Sequence, residues 1–283
     1  MRLIDRYKKG FTISFEIFPP KTPQGEINLW KELVELSALK PGYISVTYGA
    51  GGSTREKTLD IALKVRDSHE IEPLVHFTCV GADREEIAAY LKIVKEKNLE
   101  NILALRGDPP QGQKSFTPPS GGFSHANELV GFVRKTGDFC IAVAGYPEGH
   151  IEAESLEADI DNLRKKIDAG ADFIITQLFY DNADYYNFMN LTARRGISVP
   201  VIPGIMPVTS LSQITRITGM CGAKIPEKLM DDLHGCESEE SICRAGTDYS
   251  IRQCAELKSW GVPGFHFYTL NKSDTVKRII QSI

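Results

Sequence analysis

Residues 72–101, EPLVHFTCVGADREEIAAYLKIVKEKNLEN, hold one complete structural unit and decide how the rest of the chain is read. The first eight residues are apolar and β-rich, the pattern of a strand buried on both faces. The segment ADREEIAAYLKIVKEKN then carries helical period. It opens on an Asp83 N-cap with Glu86 three residues later, the arrangement of a capping box. At Asn101 a second apolar run, NILALRG, begins. The unit is strand, helix, strand.

Working outward, the same unit recurs along the chain. Apolar runs start at Thr12 (TISFEIF), Tyr43 (YISVTY), Glu72, Asn101, Phe139 (FCIAVAGY), Phe173 (FIITQLFY), Pro200 (PVIPGIMP) and Phe265 (FHFYTL), which makes eight. Successive starts lie 31, 29, 29, 38, 34, 27 and 65 residues apart, the size of a βαβ repeat except for the last gap, which must hold extra helices. Eight such units predict an α/β fold, a (β/α)8 TIM barrel with extra helices between strands seven and eight. A doubly wound open sheet is the alternative. No Pro/Ser/Gly linker divides the chain, so residues 1–283 read as one domain. The stretch DPPQGQKSFTPPSGG, residues 108–122, reads as a long loop or flap over an active site.

Bulk properties narrow the function. With 42% hydrophobic and 25% charged residues and a net charge of −4, the chain lacks the global field that nucleic acid or an anionic membrane requires. No stretch approaches the roughly 20 apolar residues of a membrane span, and the N-terminus lacks a leader-like apolar core, so the chain reads as cytoplasmic. The six cysteines form no CxxC pair, and Cys79 and Cys140 sit inside apolar runs as small hydrophobes. The spacing of Cys221, His234, Cys236 and Cys243 matches no standard zinc pattern, and no metal is assigned.

In a barrel, chemistry gathers where the strands end, and there this sequence is polar. The candidates are Glu16, Thr47 and Tyr48, His76, Arg106 with Gly107 and Asp108, Tyr146 and His150, Gln177 and Tyr180, and Tyr268 and Asn271. His76 also reads as a satisfied core histidine, Tyr48 and Tyr268 as rim packing, and Arg106 with Asp108 as a rim ion pair. Glu16 is harder to absorb structurally. A carboxylate inside SFEIF must be desolvated, and its apolar neighbours Phe15, Ile17 and Phe18 are expected to lift its pKa into the range of a proton donor.

The glycine-rich stretch SVTYGAGGSTR, residues 45–55, is not a dinucleotide fingerprint, because the third glycine position of GxGxxG falls on Thr54. A Walker loop is excluded by the lack of any Gly-Lys dipeptide. Two readings stay open. One is bare backbone lying against a ligand, with Ser53 or Thr54 capping the next helix; the other is a plain strand-to-helix turn.

The motifs FEIFPPK, SVTYGAGGSTR, ILALRGDPP, AGYPEGH, KIDAGADFIITQLFYD, PVIPGIMPV and HFYTLN, in this order from Phe15 to Asn271, closely resemble the methylenetetrahydrofolate reductase family in its short bacterial type. The resemblance implies a (β/α)8 barrel, non-covalent FAD, NADH or NADPH as co-substrate, and methylenetetrahydrofolate as the folate substrate of one-carbon metabolism and methionine biosynthesis. It implies a homo-oligomer, with a partner subunit that delivers electrons as the alternative to free nicotinamide. Glu16 then resembles the family's acid that opens the five-membered ring of the folate, and Asp108 the carboxylate between flavin and pterin. The implied FAD contacts are Thr47, Tyr48, Ala50, His76, Arg106, Gly107, Asp108, Ala126, Tyr146, His150, Asp159, Asn162, Lys165 and Lys166. The implied folate contacts are Glu16, Asp108, Gln177, Gln213, Tyr268 and Lys272.

Three features depart from the family pattern. Lys272 stands where an arginine is usual, keeping a charge but losing the bidentate fork. Leu178 replaces a common aromatic residue, and the loop from Pro109 to Gly122 is longer and richer in proline. The regulatory domain of eukaryotic members is not expected. Two rival readings keep the barrel: a colourless phosphate-substrate lyase or pterin-binding methyltransferase, and a flavin-carrying scaffold subunit.

Overall fold

Eight parallel strands close into a barrel in chain order, each hydrogen-bonded to the next and the last to the first. The structure is a computed structural model that describes residues 1–48, 55–107 and 116–283. The elements are α1 (Ile4–Tyr7), β1 (Thr12–Ile17), α2 (Pro23–Ala38), β2 (Tyr43–Val46), α3 (Arg55–His69), β3 (Glu72–Thr78), α4 (Arg84–Glu96), β4 (Asn101–Leu105), α5 (Ala126–Thr136) and β5 (Cys140–Gly145). They continue with α6 (Leu156–Asp168), β6 (Phe173–Leu178), α7 (Asn182–Arg194), β7 (Val201–Ile205), α8 (Leu211–Cys221), α9 (Glu227–His234), α10 (Glu239–Trp260), β8 (Gly264–Tyr268) and α11 (Asp274–Ser282). The closed barrel replaces the open-sheet alternative. The long last gap holds α8, α9 and α10, the extra helices its length required.

Alternation along each strand builds two cores. Outward residues such as Phe15, Ile17, Ile44, Phe77, Ile102 and Phe267 pack against the helices in one large cluster. Inward residues Tyr43, Leu74, Leu103, Phe173, Ile175 and Ile202 fill the barrel floor. Leu3, just before α1, plugs that floor from below, fixed by its N–H to Asn101 Oδ1 at 2.9 Å. Each fully buried Phe or Leu contributes about 2 kcal/mol of transfer free energy. A third cluster, with Tyr180, Met206, Val208, Ile214, Leu229 and Leu233, lies where α8 and α9 cover the loops after β6 and β7.

The helices start where capping chemistry places them. Asp83 and Glu86 form the capping box at α4, as their spacing predicts, and Ser155, Asp181, Ser210 and Ser238 cap α6, α7, α8 and α10. Several strands end earlier than the apolar runs suggest. Phe179 and Tyr180 are buried yet lie beyond β6, because rim loops bury apolar residues without ladder pairing. Among the described residues no helix is long and apolar enough to cross a membrane.

Closure between β1 and β8 demands a close approach at Thr12↔Gly264, where a Cβ on Gly264 would overlap the Thr12 backbone. Gly264→Ala is expected to cost about 3 kcal/mol or more in urea unfolding, since backbone must move. Gly219→Ala, on the exposed face of α8 with nothing nearby, should be neutral or stabilise by about 0.5–1 kcal/mol.

Candidate active site

The strand C-termini surround a cavity of about 660 Å³, within the size range of sites that take cofactors and substrates. Glu16 on β1 and His76 on β3 reach into it from one side. Ala144 of β5, Ile175 and Gln177 of β6, and Tyr268 of β8 complete the inner wall. Strand periodicity puts Glu16, His76, Gln177 and Tyr268 on the inward face.

Glu16 lies between two imidazoles. Its Oε2 is 3.4 Å from His76 Nε2 and 3.6 Å from His266 Nε2, and its side chain keeps 21% exposure toward the cavity. His266 is fully buried, its ring stacked on Tyr43 at 6.0 Å, with Nδ1 2.8 Å from Ser14 Oγ. Set 3.2 Å from the Phe265 carbonyl and 2.8 Å from His266 Nδ1, the Ser14 hydroxyl anchors the ring with Nε2 turned toward Glu16. His76 Nε2 is buried and lacks a hydrogen bond of good geometry.

This surrounding corrects the expected lift of the Glu16 pKa. Burial, the largest effect, pushes it up, but the His266 hydrogen bond and the two neighbouring imidazoles outweigh burial and hold the carboxyl below its ordinary value. The apolar neighbours Phe15 and Ile17 point to the opposite face of the sheet, into the helix-facing core. Burial pushes His76 down to about 4, so it is neutral at pH 7.

The opposite side of the mouth is cationic. Residues 159, 162, 165 and 166 share the cavity-facing side of α6, following helical period. Lys165 Nζ donates to Asn162 Oδ1 at 2.9 Å, and Lys166 Nζ to the Ala144 carbonyl at 2.9 Å. Burial lowers the Lys166 pKa and raises that of Asp159. Asp159 Oδ2 accepts from the His150 N–H at 3.3 Å, and the His150 ring meets Tyr146 edge-on at 4.8 Å. Arg106, just after β4, pairs with Glu152.

The structure brings most of the sequence candidates together. Glu16, Thr47, His76, Arg106, Gly107, Ala126, Tyr146, His150, Asp159, Asn162, Lys165, Lys166, Gln177 and Tyr268 all line the cavity. Tyr48 does not: its hydroxyl takes a short hydrogen bond from Arg55 and its ring meets Phe77. Gln213 and Lys272 line a separate cavity of about 50 Å³, which Tyr268 also reaches. There the Gln213 amide is held by Thr209 and the Pro207 carbonyl. Asn271 and the Phe18 backbone exchange two hydrogen bonds, a rim clamp with no cavity contact. Ala50 and Asp108, and the cap positions Ser53 and Thr54, lie outside the described residues. His266, Ser14 and Glu152 were missed. Alternation in FHFYTL, which turns residues 266 and 268 the same way, was the available signal for His266.

The family model for methylenetetrahydrofolate reductase matches residues 2–283. "Methylenetetrahydrofolate reductase (NADH) 1" of Arabidopsis thaliana is 39% identical over 300 residues, covering 100% of this chain and 51% of that protein. The chain thus spans about half the length of the plant relatives it matches. "5,10-Methylenetetrahydrofolate reductase" of Escherichia coli K12 is 37% identical over 263 residues, covering 93% of this chain and 87% of that protein. A Clostridium thermocellum protein whose structure is described as binding two copies of 5-methyl-5,6,7,8-tetrahydrofolic acid shares the fold with a TM-score of 0.67. It is 15% identical, covering 99% of this chain and 97% of that one.

The depressed His76 pKa makes stability depend on pH. Between its ordinary 6.5 and about 4 the unfolded chain binds the His76 proton and the folded chain does not. Stability therefore falls as pH falls through this window, by about 3 kcal/mol for this residue. Urea titrations at pH 7 and pH 4.5 should show most of that loss, about 2 kcal/mol, and His76→Asn should reduce it.

Proposed function

Because this chain belongs to the methylenetetrahydrofolate reductase family, we propose that it reduces 5,10-methylenetetrahydrofolate to 5-methyltetrahydrofolate, with FAD held non-covalently in the large cavity and NADH or NADPH as electron donor. One observation carries this reading. An inward carboxylate set between two histidines faces, across a single 660 Å³ cavity, a set of three cations. The donor chemistry fits the cofactor. Arg106, Lys165 and Lys166 suit a diphosphate, and the unsatisfied His76 Nε2 is a polar atom in the cavity wall. When bound, the flavin supplies the redox chemistry, accepting hydride from the nicotinamide and passing it to the folate carbon.

The protein's own residues supply the proton and the geometry. Glu16 supplies the proton that folate N10 takes as its bond to the methylene carbon breaks, which opens the five-membered ring and leaves that carbon on N5 as the reducible iminium. A pteridine seated over Glu16 removes the remaining 21% exposure of its side chain, and this added desolvation moves the carboxyl toward the protonated form. His266, fixed by Ser14, positions the carboxyl. Gln177 Oε1 accepts from the Leu178 N–H at 2.9 Å, which turns its amide NH2 to the pterin. Tyr268 spends its hydroxyl on the Thr176 carbonyl at 2.7 Å and presents its ring to the substrate. Lys272, in the small cavity, meets the anionic folate tail. Asp108 and Ala50 keep the roles that the resemblance assigns them. The six free cysteines suit a reducing compartment, and we place the reaction in the cytoplasm.

The purified protein should be yellow and bleach anaerobically with reduced nicotinamide. Glu16→Gln should lower folate reduction by about 10²–10⁴-fold while bleaching persists; stopped-flow absorbance separates the two, and loss of both would overturn the role of Glu16. Lys272→Arg should lower the KM for the folate severalfold at unchanged kcat, because a fork replaces a point charge; steady-state kinetics reads this directly.

A further inference from the structure

Arg106 and Glu152 form a two-armed ion pair at the cationic side of the cavity, with Nη2 donating to Oε1 at 2.9 Å and Nη1 to Oε2. The two halves are held very differently. The guanidinium is fixed independently of its partner, by Nε to the Gly107 carbonyl at 3.3 Å and by stacking over the Phe116 ring at 5.4 Å. Glu152 rides on the turn segment between β5 and α6, its side chain is 46% exposed, and among the described residues its carboxylate has no other hydrogen bond.

A guanidinium presents one planar fork of this kind to the cavity, and carboxylate and phosphate compete for it with the same bidentate geometry. Lys165 and Lys166 flank the same region, so an incoming diphosphate is drawn to the place where the Glu152 carboxylate sits. Two anions on one fork repel. Glu152 is the one free to leave, by rotation of an exposed side chain.

We propose that Glu152 is a built-in competitor for the cofactor's diphosphate: it occupies the Arg106 fork, must swing into solvent when the diphosphate is bound, and thereby sets the affinity for FAD. This rests on the FAD reading of the cavity. The role belongs to a residue that touches a binding cation and takes no part in proton or hydride transfer.

The full-length chain, freed of flavin, is titrated with FAD and separately with riboflavin, which carries no phosphate, and binding is read from flavin fluorescence. Glu152→Gln should bind FAD on the order of tenfold more tightly than the parent, with riboflavin affinity unchanged. Glu152→Asp, which keeps the charge, should stay near the parent. Equal or weaker FAD binding by Glu152→Gln would overturn the proposal, and so would an equal gain for riboflavin, because the effect would not then come from the diphosphate. Failure of the parent and both variants alike to bind FAD would instead remove the cofactor assignment, and this inference with it. Thermal unfolding of the flavin-free proteins should show the same midpoint for all three.

Discussion

The ladder between β1 and β8 is the constraint on which the site depends. It pairs Ser14 with His266 and Glu16 with Tyr268, residues some 250 positions apart in the chain. Without that seam the carboxylate would lose its histidine and the barrel its inner wall. The seam in turn requires backbone at Gly264 to lie against Thr12, which only a residue without Cβ permits. A glycine with no chemistry of its own thus places the acid.

Around the seam, the mouth divides into two electrostatic territories. On one side a buried carboxylate lies 3.4 and 3.6 Å from two imidazoles, which favour its charged form against the cost of burial. On the other, Arg106, Lys165 and Lys166 gather positive charge in a protein whose net charge is −4. Local concentration of charge, set by α6 and the loop after β4, does what the overall composition argues against. Each cation has an intramolecular partner, Glu152, Asn162 or the Ala144 carbonyl, so the charges are held in place by contacts a ligand must join or replace.

Much of this was legible in the linear chain, and for a physical reason. Parallel strands buried on both faces appear as apolar runs, and their crossovers impose a regular spacing, so eight units and a long final gap were readable directly. Capping at Asp83 was equally readable, because its interactions span three residues. Glu16, His76, Arg106, Tyr146, Gln177 and Tyr268 were also marked by their position at strand ends, whereas Ala126 and the four residues of α6 came only from the family resemblance. The boundaries of the strands were not legible, since Phe179 and Tyr180 are as apolar as the strand before them.

By itself, the sequence determined the repeat, the barrel it implies, the position of Glu16 within the first strand and the family resemblance carried by seven ordered motifs. Only the tertiary structure decided what faces Glu16, and with it the direction in which its pKa moves. Period-two alternation sends Phe15 and Ile17 to the helix layer and brings His76 and His266 to the carboxylate from other strands. The same holds for Arg106, whose partner Glu152 comes from the loop of the next strand. Electrostatic environment depends on distance through space and on local dielectric, and neither follows from neighbours along the chain.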